Sequence, residues 1–274
     1  MSMAVRLSSD TGAASYLRAI VPEAYPDLPY PANPDYGTGA CRRRIVLNGS
    51  AGRVEGWLSD NFHEMTVTLE HDSSRVKRIS GEMIRYPTTA YPGASRVLDE
   101  LVGIEVGTPS ATLFAGGRAR RNCTHLFDLA VLAVAHAERG EQERRYDILV
   151  PDTIEGQTKI SVLRNQVTIH SWAVVDGWIV APRELAGQPV GKGFAQWARE
   201  LYSGDELEAA LVLSRLNYLA VGRRWLTETF TGEPIGRNAA LHDVCYAYSK
   251  GLREHAVFRD GARQEFPEGI PERD

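Results

Sequence analysis

Short segments of alternating apolar and polar residues fill residues 42–87 and constrain the fold more than any other feature of the chain. Alternation with a period of two is typical of strands that bury one face. The segments are RRRIVLNGS, RVEGWLSD, HEMTVTLEHDSS and RVKRISGEMIRYP, and turn residues such as Asn48-Gly49 and Asp72-Ser73-Ser74 separate them. Because short connections of this kind join neighbouring strands in opposite directions, these segments predict an antiparallel meander.

The periodicity changes near Tyr91, where the sequence predicts that the sheet gives way to a helix. Pro92 suits the first turn of a helix, and the apolar residues within 97–102 have helical spacing. Further on, RRNCTHLFDLAVLAVAHAERG (residues 120–140) is apolar on nearly every side. This pattern predicts a helix over residues 122–138 that is buried on most of its faces.

The second half of the chain repeats the succession of strands and helices. YDILVPD, TKISVLRNQ and VTIHSWAVVDGWIVAP predict three or four further strands, and FAQWARELY and DELEAALVLSRLNYLAVGRRWL predict amphipathic helices. The predicted fold is therefore α+β: a curved antiparallel sheet packed against a buried central helix, with a second strand group and C-terminal helices.

Proline content and periodicity divide the chain into three parts. Residues 1–40 are rich in proline and tyrosine and predict an extended arm, because proline cannot donate a backbone hydrogen bond. Residues 41–252 carry the periodic segments and predict a single α+β domain. Residues 253–274 have no clear periodicity, so we expect a C-terminal tail with little order.

Charge and composition exclude several classes of partner. The net charge is −4, and the basic clusters at residues 42–44 and 118–121 are not interleaved with aromatic residues, so we expect no nucleic-acid partner. No apolar run approaches the ~18 residues of a membrane span, and no secretory signal begins the sequence. The three cysteines are widely spaced, which argues against disulfides and CxxC zinc sites. We therefore expect a cytoplasmic protein with reduced thiols and no membrane partner.

The start of the predicted central helix carries three candidate site residues. Cys123 lies in or beside its first turn, where unpaired backbone N–H groups favour a thiolate. His125 and Asp128 are three residues apart and so share one helix face, where a carboxylate can fix the tautomer of an imidazole. The alternative is a core helix in which these polar groups satisfy one another.

The predicted meander adds four more candidates. His63 and His71 have an even separation, so both point to the same face of a regular strand. Arg85 and Tyr91 flank the turn from sheet to helix, where the arginine can hold an anionic substrate and the phenol can transfer a proton. The alternatives are an ordinary ion pair between Asp60 and Arg85, and a packing role for Tyr91.

Several runs of this sequence resemble the uncharacterised bacterial family called domain of unknown function 2889. They span roughly Arg42 to Arg224 and are LSDNFHEMTVTLEHD, RYP followed by PGASRVLDELVG, NCTHLFDLAVLAVAHA and VGRRW. In that family a cysteine usually precedes PGA, where this chain has Tyr91. The family implies no activity of its own.

A more distant likeness is to the iron–sulfur cluster assembly scaffolds of the IscU and NifU type. PGAS at 92–95 and NCT at 122–124 are similar to the two cysteine-bearing segments of those scaffolds. The likeness implies that Tyr91 and Cys123 lie close together, with His63, Arg85 and Asp128 as neighbours. Because a phenol replaces the first thiolate, it also implies a shared pocket location without a shared function.

These residues predict acid–base chemistry, and the chain lacks the motifs GxGxxG, GxxxxGK[ST], HExxH and GxSxG. We expect a cofactor-independent lyase or isomerase acting on a small organic, for instance aromatic, substrate. His125 or His63 is the base, oriented by Asp128, and Tyr91 is the acid or a phenolic hydrogen-bonding group.

The remaining residues and alternatives complete the hypothesis. Cys123 is a further catalytic candidate, and Arg85 and His71 bind substrate. One alternative is a metal-binding protein using Cys123 with His125, Asp128 or His63 to hold zinc or iron. The other is a non-catalytic ligand-binding module. A homodimer is compatible with the proline-rich arm.

Overall fold

The computed structural model describes residues 30–140, 142–237 and 239–273, so most of the predicted N-terminal arm, residues 1–29, lies outside the described residues. The strands are β1 (Ala40–Ser50), β2 (Arg53–Asp60), β3 (Glu64–His71), β4 (Val76–Arg85), β5 (Glu143–Pro151), β6 (Gln157–Arg164), β7 (Val167–Val175) and β8 (Trp178–Ala181). The predicted meander and the later strands are therefore both present.

All eight strands belong to one open antiparallel sheet in the order β4-β3-β2-β1-β5-β6-β7-β8. The four strands of the predicted meander form one half, and the predicted second strand group forms the other. The two halves join where β1 pairs with β5, with Cys41 opposite Val150. The α+β class is confirmed, and the second strand group extends the first sheet.

The helices lie mainly in two blocks, one between β4 and β5 and one after β8. They are α1 (Ser110–Phe114), α2 (Arg118–Arg121), α3 (Thr124–Arg139), α4 (Phe194–Leu201) and α5 (Gly204–Ala220). Turns of 3₁₀ helix occupy Tyr91–Leu101, Ala115–Gly117, Arg183–Leu185, Val221–Arg224, Thr227–Phe230, Ile235–Arg237, Ala239–Leu241 and Tyr246–Tyr248. In the described ranges, no helix combines the length and apolarity needed to cross a membrane.

The core lies between one face of the sheet and two helices. α3 packs on β1, β2 and β3, and α5 packs mainly on β5 and β6. Leu126 of α3 approaches the sheet closely because Gly81 has no side chain: a Cβ there would lie 3.0 Å from the methyl groups of Leu126. Gly140 ends α3 with φ 64°, a left-handed conformation that glycine adopts at little cost.

The later part of the C-terminal segment, from about residue 264 to 272, lies against the opposite face of the sheet. Phe266 and Ile270 are buried there and pack on Trp57 of β2. Asn61, in the turn after β2, donates from Nδ2 to the carbonyl of Gln264 at 2.9 Å. This segment is therefore ordered, in contrast to the expectation from the sequence. The predicted domain boundaries stay a prediction.

Candidate functional site

Five polar side chains from four parts of the chain meet where α3 begins. The Arg43 cluster, as we call it, consists of Arg43, Asp60, His63, Tyr91 and His125. Arg43 lies on β1 directly opposite Asp60, the last residue of β2. His63 lies in the turn before β3, Tyr91 begins a 3₁₀ helix, and His125 is in the first turn of α3.

Arg43 and Asp60 form a buried ion pair at the base of the cluster. Arg43 donates from Nε and Nη2 to Oδ2 of Asp60, at 3.0 and 2.6 Å. Burial alone would raise the pKa of the Asp60 carboxyl, but the nearby His63 and Arg43 outweigh burial and hold that pKa well below its usual range. Asp60 is therefore ionised across the physiological pH range.

The second carboxylate oxygen of Asp60 fixes the orientation of His63. It accepts hydrogen bonds from the backbone N–H groups of Phe62 and His63, both at 2.8 Å, and lies 3.1 Å from Nδ1 of His63. Because an ionised carboxylate can only accept, the hydrogen-bond network assigns the proton to Nδ1. Nε2 of His63 is then the acceptor nitrogen of the ring.

Tyr91 supplies the donor at Nε2 of His63. Its hydroxyl lies 3.3 Å from that nitrogen, and the two rings stack with centroids 5.5 Å apart. Burial, followed by the proximity of Cys123, raises the pKa of the Tyr91 phenol well above its usual value. The phenol is therefore protonated and donates to His63, which completes a hydrogen-bonded chain from Arg43 through Asp60 and His63 to Tyr91.

His125 forms the more open edge of the cluster. Its ring centroid is 4.4 Å from that of His63, and Nη2 of Arg43 lies 3.3 Å from its Nδ1. Because a guanidinium only donates, Nδ1 must accept, and the ring proton lies on Nε2. Burial, His63 and Arg43 all lower the pKa of His125, so the half-buried ring is neutral and presents an N–H donor.

Asp128 does not orient His125, in contrast to the expectation from their spacing. Its Oδ2 lies 3.2 Å from Nε of Arg215 on α5. Burial raises the pKa of the Asp128 carboxyl, while Arg215 and Arg43 partly oppose that rise. The carboxylate that orients an imidazole at this site is Asp60, and the imidazole is His63.

Arg85 holds the backbone of the site and is not placed to bind an anion. It donates from Nη2 to the carbonyls of Asp60 and His63 at 2.6 and 3.0 Å, and from Nη1 to the carbonyl of Ala262 at 2.6 Å. Arg85 thus contacts the backbone carbonyl of Asp60 and not its carboxylate. The alternative of an Asp60–Arg85 ion pair is therefore wrong as well.

His71 lies at the other end of β3, far from the Arg43 cluster. Eight residues of strand separate it from His63, a distance of roughly 26 Å. Its Nδ1 accepts a hydrogen bond from the backbone of Ser73 at 3.1 Å, and its side chain lines a separate cavity together with His136. The predicted role of His71 in binding the same substrate as His125 does not fit this position.

Cys123 is the residue before α3 and is buried beside the cluster. Burial, followed by the proximity of Cys245, raises its pKa to about 12, although backbone N–H groups of Leu126 and His125 act in the opposite direction. The expected thiolate therefore does not form near neutral pH. Among the described residues, no group of three or more His, Cys, Asp and Glu side chains is arranged to hold a metal ion. This gives no support to the metal-binding alternative.

The sequence analysis does not identify two members of the cluster. It does not name Arg43, and it names Asp60 only as a partner of Arg85 and not as the carboxylate that orients His63. Arg43 belongs to a basic run in the sequence, yet it has the same strand parity as Ile45 and Leu47, whose side chains are buried. A charged residue at an apolar position of an alternating strand is the signal that identifies it.

Comparisons of the chain with protein-family models, curated proteins and solved structures gave no match. Membership of the family called domain of unknown function 2889 and the likeness to iron–sulfur scaffolds therefore stay predictions. A function for the chain has to be inferred from the geometry of the Arg43 cluster.

Proposed function

We propose that the protein is a cofactor-independent enzyme, a lyase or isomerase, that transfers protons on a small organic substrate at the Arg43 cluster. The observation that carries the proposal is the hydrogen-bonded chain from a buried ion pair through an oriented imidazole to a phenol. An imidazole between a carboxylate and a hydroxyl can take up and return a proton, which is the basis of general acid–base catalysis.

The contacts assign a role to each member of the cluster. Asp60, kept ionised by Arg43, stabilises the positive charge that His63 gains when it takes the phenolic proton of Tyr91. The phenol oxygen in turn accepts a proton from the substrate, and the reverse transfer returns a proton to the product. His125 donates from Nε2 to the substrate oxygen on which negative charge develops.

The proposal also uses the packing of the fold and the remaining sequence-based predictions. In it, α3 is the buried central helix, and the sheet curves around α3 to bring His63 and His125 together. A cytoplasmic location, a small-molecule partner, the absence of nucleic-acid and membrane partners, and a homodimer are part of the same proposal, and they rest on the sequence alone.

Hydrogen exchange at carbon tests the proposal across a whole class of substrates at once. The protein is incubated in D₂O with a panel of small aromatic and aliphatic hydroxy acids and keto acids, and loss of C–H signals is followed by proton NMR. We expect the wild type to accelerate exchange in a member of the panel. His63→Gln and Tyr91→Phe should each slow that exchange by about 100-fold or more.

His71→Gln is the matched control, because His71 lies at the far end of β3. It should exchange at the wild-type rate. The proposal is wrong if folded His63→Gln and Tyr91→Phe proteins, checked by circular dichroism, exchange as fast as the wild type.

A further inference from the structure

A groove between α3 and α5 lies one helical turn from His125. Its volume is about 340 Å³, which is within the range of small-molecule sites. Apolar side chains from α1, α3, α4 and α5 form most of its lining, among them Phe114, Leu132, Phe194, Leu207 and Leu211. A ligand with an apolar body therefore fits the groove.

The carboxylates most deeply placed in the groove already face arginines. Asp128 lies 3.2 Å from Arg215, and Glu208 accepts from Arg139 at 2.7 Å. Only 13% of the Asp128 side chain and 12% of the Glu208 side chain are exposed. Neither carboxylate is therefore readily available to a cationic ligand.

The exposed charges of the groove are mainly positive. Of the described residues that line the groove, Arg199 and Arg215 are exposed arginines, and Glu138 is the single exposed carboxylate. The guanidinium of Arg215 lies over the ring of Phe114, 5.3 Å from its centroid, and 47% of the side chain is exposed. These charges are complementary to an anion.

Arg215 has donors to spare for such an anion. Its closest nitrogen to Asp128 is Nε, and within the described parts of the chain its two terminal nitrogens donate no hydrogen bond. Two parallel N–H groups of a guanidinium match the two oxygens of a carboxylate. The cation–π contact with Phe114 stabilises the guanidinium at this end of the groove.

We propose that the α3–α5 groove binds an amphipathic monocarboxylate, with the carboxylate on Arg215 and the apolar body against Leu132 and Leu211. Binding requires only the groove. Identification of this ligand with the substrate rests on the proposed function, because Asp128, at the Arg215 end of the groove, follows His125 by one turn of α3.

Isothermal titration calorimetry at constant ionic strength tests the proposal with three probes that share one apolar skeleton. They are hydrocinnamate, hydrocinnamyl alcohol and phenylpropylamine. We expect hydrocinnamate to bind at least about tenfold more tightly than the alcohol, because it alone gains charge-assisted hydrogen bonds, and the amine to bind most weakly.

Variants locate the site. Arg215→Gln should weaken hydrocinnamate by about tenfold or more and leave the alcohol nearly unchanged, and Arg215→Lys should give an intermediate affinity. Ala135→Phe, which fills the groove, should weaken both ligands. Arg96→Gln, at an exposed arginine outside the groove, is the matched control and should bind like the wild type.

Three results overturn the inference: no binding of hydrocinnamate, equal affinity for acid and alcohol or tighter binding of the amine, or wild-type affinity in folded Arg215→Gln. The outcome is separate from that of the proposed function. If binding depends on Arg215 but exchange is unchanged in the His63 and Tyr91 variants, the ligand site in the groove is supported and the proposed enzymatic function is wrong. If exchange is slowed in those variants but binding does not depend on Arg215, the enzymatic function is supported and the ligand site in the groove is wrong.

Discussion

Two buried polar clusters occupy the two central strands of the sheet, and they differ in whether an imidazole contacts the buried carboxylate. One is the Arg43 cluster on β1. The other, the Arg144 cluster, consists of Arg144 and Tyr146 on β5 with Asp205 and Glu208 on α5. Each contains an arginine, a carboxylate and a phenol, but only the Arg43 cluster contains histidine.

In the Arg144 cluster, the guanidinium and the phenol both donate hydrogen bonds to carboxylates. Arg144 donates to Asp205 at 2.8 Å and to Glu208 at 3.2 Å, and the hydroxyl of Tyr146 donates to Glu208 at 2.5 Å. Burial, followed by Glu208, raises the pKa of Tyr146, so its proton stays in place. Buried charge by itself joins a helix to a sheet, whereas an imidazole beside the carboxylate adds a group that can both accept and donate a proton.

Removal of the Asp60 carboxylate is the strongest test of this comparison. Asp60→Ala leaves the buried Arg43 without its partner, and we expect the free energy of unfolding to fall by about 3–5 kcal/mol. Urea denaturation measures the change. The double variant Arg43→Met with Asp60→Leu should recover part of the loss, because it leaves no buried charge unpaired. A loss below about 1 kcal/mol for Asp60→Ala would contradict the importance of the pair.

Substitution of Tyr91 and of Tyr146 should distinguish a phenol that transfers protons from one that only stabilises the fold. Tyr91→Phe should slow deuterium exchange into the substrate by about 100-fold, equivalent to roughly 2.7 kcal/mol in the activation barrier. Tyr146→Phe should change the thermal unfolding temperature and leave the exchange rate as it is. Equal effects of both substitutions on exchange would remove the distinction between the clusters.

The pH dependence of stability should follow His125. Its pKa in the folded protein is lowered from 6.5, so below that pH the unfolded chain binds the proton first. The free energy of unfolding contributed by His125 is therefore present above about pH 6.5 and is lost as the pH falls, by at most about 1.4 kcal/mol per pH unit. Urea denaturation between about pH 7 and pH 5 should show a flatter dependence for His125→Gln. An unchanged slope would contradict the assignment.

The smallest effect is expected at the rim of the Arg144 cluster. The side chain of Asp205 is 41% exposed, so water screens its attraction to Arg144 and Arg164. Asp205→Asn should lower the free energy of unfolding by no more than about 1 kcal/mol in urea denaturation. A loss as large as that from Asp60→Ala would mean that burial does not distinguish the two clusters.

The strands were predictable from the sequence because their pattern is local. Alternation and turn residues between Arg42 and Arg85 are sufficient for the first meander. The pairing of β1 with β5 is not local, since Cys41 and Val150 lie on strands separated by the entire first helical block. The order of residues 253–273 was not predictable because Phe266 and Ile270 have no periodicity and gain their burial from a distant strand.

The site was predictable where a residue type is informative by itself. His63, Tyr91 and His125 are candidates from the sequence, and they do lie together. The contacts that each site residue makes were not predictable. The spacing of His125 and Asp128 on one helix is suitable for a pair. In the structure, however, Arg215 on α5 contacts Asp128, and Arg43 on β1 contacts His125. Spacing along one helix says nothing of competing partners on other elements.

The contact of the C-terminal segment with the turn after β2 affects when the site can form during synthesis. Asn61 and Gln264 are 203 residues apart, and Arg85 reaches across a similar span to Ala262. At a ribosomal rate of about 5–20 residues per second, the chain needs roughly 10–40 s between these partners. During that time the nascent meander lacks the carbonyl groups to which Asn61 and Arg85 donate. The turn that carries Asp60 and His63 therefore gains these contacts only after residues 262–264 have been synthesised.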